Sequence, residues 1–407
     1  MITPSFNLTA TERVLPKLAL DFTTASLDSR ITFTRALATA TRVNSSGYVE
    51  TVAADTPRFD YDPVTLACKG LLIEESRVNN LVGSQDLSNA GWLYSNSNKT
   101  LDVATSPDNT ANADKLFATG TGGRVSQNFT FAATPYTLSV YAKPAGYDFV
   151  TLGWAGAGVF FNVANGTLGI VPGGYTATIT PVGNGWYRCT ATVTPTAGAS
   201  TFRMYPASAN GNISTFDGSS GVYIWGAQLE AGAFATSYVP TTLLPLTRNA
   251  DVATMTGTNF SDWWQATRGG VLVRALPSTV SGTRPLVQFD DNTANEIIAL
   301  RGNTTNPELY IVDGGTPQAQ LDAGAIAANT PYSLTGWWDT NDCKARQNSG
   351  AVVIDTTATI PTVTQMRIGS DGTNYLNGTI ATVNYYDSFL GQPIYTRRKN
   401  KVFPSLL

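Results

Sequence analysis

The chain has 407 residues, 29 acidic and 26 basic, with a net charge of −3 and no histidine. Missing histidine removes the usual general base of Ser and Cys hydrolases and the commonest metal ligand, and mild acidity gives no clustered Lys/Arg footprint for nucleic acid. Charged residues make up 14% of the chain, and its 57 threonines outnumber the formal charges. Thr is β-branched and wets a pleated surface without charge, so an all-β protein is expected.

At about 150 residues per domain, the length implies two or three domains. Cys68, Cys189 and Cys343 are odd in number, far apart and without CxxC spacing, so neither a disulfide framework nor a zinc site is expected. No run approaches the ~18 apolar residues of a membrane helix, and the first residues lack a basic stretch leading into an apolar one. The expectation is a soluble protein, made inside the cell with reduced thiols, not inserted in a membrane. The basic run Arg397, Arg398, Lys399 and Lys401 reads as a solvated C-terminal edge.

In chain order, residues 1–30 show little periodicity and read as an extended attachment arm. Residues 31–84 hold short β-like runs broken by Asn44-Ser45-Ser46-Gly47, Asp55-Thr56-Pro57 and Tyr61-Asp62-Pro63, a hairpin region with too little core to stand alone. Residues 85–245 carry regular alternating runs. Leu138, Val140 and Ala142 alternate with Ser139, Tyr141 and Lys143, and Tyr187, Cys189 and Ala191 with Trp186, Arg188 and Thr190. Period-two side chains with turns every 8 to 12 residues fit a β-sandwich. After the Val239–Pro245 linker, residues 246–407 give nine more strand candidates and no long amphipathic helix, which implies a second antiparallel sandwich in tandem.

Several separated motifs occur together here. Thr34-Arg35-Ala36, Ala40-Thr41-Arg42-Val43-Asn44, Pro57-Arg58-Phe59-Asp60-Tyr61-Asp62-Pro63 and Gly70-Leu71-Leu72-Ile73-Glu74-Glu75 resemble a signature of tailed-bacteriophage virion proteins. Gly185-Trp186-Tyr187-Arg188, Gly221 to Glu230 and Thr236-Ser237-Tyr238-Val239-Pro240-Thr241 resemble the carbohydrate-binding jelly-roll module of phage fibre and spike proteins. Phe260 to Trp263, Arg367 to Ser370 and Leu376 to Ile380 are similar to a concanavalin or laminin-G-like sandwich. The resemblance implies a tail-fibre, baseplate or head-spike protein on the virion surface, a homotrimer that contacts other virion proteins through its N-terminal region and binds host surface polysaccharide.

Strand parity supplies the candidate residues. If Cys189, Val140 and Met204 face the core, then Trp186, Arg188, Tyr141, Lys143, Arg203 and Tyr205 face away from it. Rings that meet sugar C–H faces, beside cations that meet hydroxyls or carboxylates, suit a glycan groove. The alternative is that a loop, a second sheet or a neighbouring subunit covers these rings. Trp225 lies on a run apolar on both faces, as in a covered strand. Trp338 reads as inward and Trp337 as outward, a binding candidate that a trimer contact explains equally well.

No catalytic residues are assigned. Asp290-Asp291-Asn292 reads as a turn, Glu74 with Glu75 is an isolated acidic pair, and no Glu-x-Asp-x-x-Glu run of concanavalin-like glycosidases occurs. Asp339 to Asp342 and Asp371 to Asn374 are oxygen-rich but lack EF-hand spacing, so no cofactor is expected and Ca²⁺ has no specific support. A glycan binder is therefore the leading expectation, with a purely architectural virion protein as the alternative and a depolymerase as the third reading.

Overall fold

The computed structural model describes residues 15–37, 40–154 and 157–387. The basic run at Arg397 to Lys401 and the first part of the expected arm lie outside the described residues. The fold is all-β and antiparallel, with two sandwiches. Helix among the described residues is limited to the 3-10 turn Phe22–Thr24 and the four-residue Thr258–Ser261.

The first sandwich has two six-stranded sheets. One sheet runs Tyr175–Pro181, Tyr187–Val193, Tyr136–Ala145, Gly221–Ala231, Ala113–Ala118, Ser97–Ala104. The other, called the outer sheet below, runs Thr167–Leu168, Ala157–Asn162, Phe149–Trp154, Gly198–Ala207, Arg124–Phe131, Leu93–Ser95. Alternation decides which side chains enter the core: Leu138, Val140, Cys189, Ala191, Phe202 and Met204 are buried together between the sheets. Threonines fill the complementary positions and pair across strands. Thr137 and Thr192, opposite each other in register, share a 2.7 Å hydroxyl hydrogen bond.

The second sandwich stacks two larger sheets. One centres on Gly269–Pro277 between Tyr332–Trp338 and Gly378–Tyr386; the other centres on Thr283–Asp290 between Gln365–Ile368 and Ile297–Asn303. Its core is apolar, and Phe260, Trp263, Trp264, Phe289, Trp338 and Tyr385 form one aromatic cluster in it.

The segments ahead of the jelly roll depart from the expected arm and hairpin region. Leu18–Asp21 pairs with Gly378–Tyr386, with Leu20 opposite Val383. Thr32–Thr34 pairs with Val252–Thr256, and Cys68–Ile73 bridges Gly378–Tyr386 and Phe59–Tyr61. Leu18, Leu20, Phe33, Phe59, Leu71 and Ile73 are buried in the second sandwich's core. The scarcity of core in residues 31–84 is thus met within the same chain, because these strands complete sheets whose other members follow the jelly roll. Only Ala40–Val43 and Val49–Val52 form a free-standing hairpin, closed at Gly47 with φ +82° and held by Asn44 Oδ1, which accepts from Ser46 N at 3.0 Å.

The first sandwich is therefore an insertion in the second rather than its predecessor. The chain leaves along Arg77–Asn79 and returns along Leu246–Arg248, and these two strands pair with each other as a ribbon.

Candidate functional site

The two faces of the jelly roll away from its core have different fates. On the first sheet, the face carrying Tyr141, Trp186, Arg188 and Trp225 is covered by residues 232–242 and by the 40–52 hairpin. Val49, Ala113, Tyr141, Trp186, Trp225 and Tyr238 make a small second core there. The Tyr141, Trp225 and Tyr238 ring centroids lie 4.9 to 6.2 Å apart. Trp186 Nε1 donates to Thr105 O at 3.0 Å, and Arg188 Nη2 donates to Thr236 O at 2.7 Å while its guanidinium sits over the Tyr141 ring. Lys143 is half-buried and donates to Asn184 O at 2.9 Å.

This corrects the exposure expected for Tyr141 and Trp186. Parity puts them on the non-core face, but a distant segment crosses over that face. The apolar character of the Trp225 strand on both sides was the sequence signal for such a cover. Trp337 is corrected too: it faces away from Trp338, yet it is only 8% exposed. Its ring lies across the paired Gly270, where an added Cβ would stand 2.4 Å from ring atom Cε3.

Beneath the covered face lies a buried ionic centre formed by motif residues. Arg58 Nη1 donates to Thr41 O at 2.9 Å and to Ser237 Oγ at 2.7 Å and pairs with Glu74 at 2.8 Å; its Nη2 pairs with Asp251. Arg35 Nη1 donates to Asp251 at 3.1 Å, and Arg248 lies 3.6 Å from Glu74 and 3.9 Å from Asp251. Ser237 donates to Glu74 from both N, at 2.8 Å, and Oγ, at 2.7 Å. Burial by itself pushes the Glu74 carboxyl up, but the Arg248 and Arg58 guanidinium groups and Ser237 outweigh it and hold it well below the usual carboxylate range. These groups join the hairpin region, residues 232–242 and the strand entering the second sandwich. Their arrangement is structural.

The other acidic candidates are similarly engaged. Glu75 accepts from Arg77 Nε at 2.7 Å and Asn377 Nδ2 at 2.8 Å. Asp290 is buried and accepts from Gln288 Nε2 and Arg367 Nε, both at 2.9 Å. Asp371 Oδ1 accepts from Thr373 N and Asn374 N at 2.8 and 2.6 Å, an ordinary turn. Among the described residues, no group of three or more His, Cys, Asp or Glu is placed to hold a metal.

The outer sheet differs. Arg203 and Tyr205 project from Gly198–Ala207, away from the buried Phe202 and Met204, and both are partly exposed. Tyr205 stands opposite Thr151, and Thr151 opposite Phe160 on the next strand, so the three form a row across the sheet. Phe160 is partly exposed. Thr151 is buried between these neighbours, and its Oγ1 has no hydrogen-bond partner among the described residues. In the adjacent row Arg203 faces Gly153 on one side and Ser126 on the other, and Gly153 faces Gly158, so among the described residues no bulky side chain of these strands stands opposite the guanidinium. Arg203 Nε donates to Thr201 Oγ1 at 2.9 Å. Arg124, two residues before Ser126 and on the same face, is partly exposed and donates to Gly122 O at 3.3 Å.

Of the seven candidates, then, the structure leaves Arg203 and Tyr205 together on an open face and adds Phe160, Thr151 and Arg124 to them. Sequence reasoning missed Phe160 because Val159-Phe160-Phe161 is apolar throughout, and alternation alone does not say which ring faces out. The stripe is shallow. The clefts elsewhere hold ≈250 Å³, between Arg77, Asn80, Phe129 and Tyr136, and ≈310 Å³, beside Ile326, Pro331, Tyr332 and Asn348.

No protein-family model matches the chain, and no curated protein sequence matches it. Among solved structures, mouse laminin alpha1 chain domains LG4-5 are 10% identical, with 73% of this chain and 88% of that one covered and a TM-score of 0.25. The LG1-3 region of the laminin alpha2 chain is 11% identical, with 64% and 63% covered and a TM-score of 0.25. The heptameric SAP-like pentraxin from Limulus polyphemus is 12% identical, with 29% and 62% covered and a TM-score of 0.23. The chain thus spans less than two thirds of the pentraxin and of the laminin alpha2 region. Nothing about fold or ligands passes from these proteins to this chain.

Proposed function

We propose that this chain is a non-catalytic glycan-binding protein of a tailed-bacteriophage particle surface, and that the outer sheet of its jelly roll is the binding face. The observation that carries the reading is the Phe160–Thr151–Tyr205 row flanked by Arg203 and Arg124, an uncovered aromatic and cationic stripe on a rigid sheet. Sugar rings stack on such side chains while their hydroxyls take the guanidinium donors. A shallow stripe binds each chain weakly, and many copies on one particle compensate by avidity. The placement on a phage, the homotrimer and the attachment through the N-terminal region rest on the sequence motifs.

The test is binding of the full chain to an array of bacterial surface polysaccharides, with Tyr205→Ala and Phe160→Ala as variants. Binding that falls at least about tenfold in either variant, with the thermal midpoint of the parent, supports the reading. A chain that binds no polysaccharide, or variants that bind as the parent does, would favour the architectural alternative. That alternative has its own observation: Leu168, Ile170 and Val171, at the rim of the same sheet, are exposed by 39 to 48%, as expected of a surface packed against a neighbouring molecule.

A further inference from the structure

Resting on that reading, we infer that the glycan is acidic, a polysaccharide whose sugars carry carboxylate or phosphate groups. The six strands of the outer sheet contain two arginines and no Asp, Glu or Lys, in a chain whose net charge is −3. Acids and bases are thus segregated, and this face is left cationic. Several arginines elsewhere are ion-paired, as Arg301 is with Glu308 and Arg367 with Asp290, both at under 3 Å. Neither Arg124 nor Arg203 has a carboxylate partner among the described residues; their hydrogen bonds go to a backbone carbonyl and a threonine hydroxyl, which leaves most of each guanidinium fork unused.

The spacing fits a polymer. Arg203 faces Ser126, and Arg124 is the next residue on that face of the strand, so the two cations are diagonal neighbours roughly 7–8 Å apart at Cα. The Tyr205 and Phe160 rings continue across the sheet from them, with the buried Thr151 between. A sugar chain laid along this row stacks its rings on the aromatics and presents its anionic groups to the two guanidinium forks. Arg pairs with such groups bidentately, with geometric as well as electrostatic preference. A neutral glycan would leave both forks without ionic partners.

The experiment is affinity electrophoresis of the full chain through gels containing polygalacturonate, its methyl ester, phosphomannan or dextran, at low and high salt. Expected is retardation by polygalacturonate or phosphomannan that weakens as salt rises, with binding to the methyl ester and dextran at least about tenfold weaker. Arg124→Gln and Arg203→Gln should each lose about tenfold on the retarding polymer while keeping the parent's thermal midpoint. The two acidic arms separate carboxylate from phosphate. Equal retardation by the methyl ester and the free acid, or an Arg124→Gln/Arg203→Gln double variant that binds like the parent, overturns the acidic ligand and leaves glycan binding standing. No retardation by any of the four polymers overturns this inference and counts against glycan binding itself.

Discussion

Arg58 and Asp251 are 193 residues apart in the chain and meet in a two-pronged ion pair with both side chains fully buried. The whole jelly roll lies between them in sequence, so this contact fastens a host segment that precedes the insertion to the strand that resumes the second sandwich after it. Breaking a buried pair by deleting one partner leaves the other charge uncompensated, which costs about 3–5 kcal/mol. Arg58→Ala should therefore lower the unfolding free energy read from chemical denaturation by that much. A loss under about 1 kcal/mol would show that the remaining arginines take over Asp251.

The same centre gives the protein an acid limit. The Glu74 pKa in the folded chain lies below its ordinary 4.5, because Arg248 and Arg58 outweigh the burial that pushes it up. A depressed folded-state pKa means that the stabilisation is present above the unfolded value and is lost as pH falls below it. The thermal midpoint should hold from about pH 7 to about pH 5 and then drop. Glu74→Gln should start lower at neutral pH and show a shallower acid slope; a slope as steep as the parent's would assign the transition to other carboxylates.

The two aromatic faces should respond oppositely to truncation. Trp186→Ala empties a site that is 2% exposed, so a loss of about 3–5 kcal/mol in stability is expected. Tyr205→Ala acts on a partly exposed ring and should change stability by less than about 1 kcal/mol. Denaturation of both variants under one set of conditions checks this.

Gly70 should not accept a side chain. It has φ +113°, and a Cβ there would stand 2.1 Å from the Ile380 carbonyl oxygen in the neighbouring strand. Backbone cannot rotate away as a side chain can, so Gly70→Ala is expected to cost at least about 1–3 kcal/mol. A variant with an unchanged midpoint would mean that Cys68–Ile73 is not seated on Gly378–Tyr386 as described.

Truncation tests the nested arrangement. A chain beginning at residue 246 lacks Leu18–Asp21, Thr32–Thr34, Phe59–Tyr61 and Cys68–Ile73, which complete both sheets of the second sandwich. It should lack a cooperative thermal transition and bind hydrophobic dye. A soluble, cooperatively melting fragment would instead restore the tandem arrangement.

The all-β class and the strand faces were legible because alternation is local: Cys189 inward and Arg188 outward follows from five residues of sequence. What crosses a face is not local. Tyr238, in the segment after the Trp225 strand, covers Tyr141 from far along the chain and Trp225 from close by, and only the two-sided apolarity of the Trp225 strand hinted at a cover. The pairing of Leu20 with Val383 was hidden for the same reason, since neither run names its partner. The motif residues Arg35, Arg58 and Glu74 were conspicuous in the sequence, but their role was not. An acid closing the run Leu71-Leu72-Ile73-Glu74 was the local sign that it is buried and paired.

The ribbon of Arg77–Asn79 and Leu246–Arg248 sets the two connections of the jelly roll side by side. Such a module can be exchanged as a cassette: recombination at the two strands would replace it while leaving both sheets of its host sandwich unbroken. The incoming module must still offer a face that fits against the 40–52 hairpin of the host. Within that limit, the surface the insert presents can change by swapping one module, while the host sandwich keeps every strand it has.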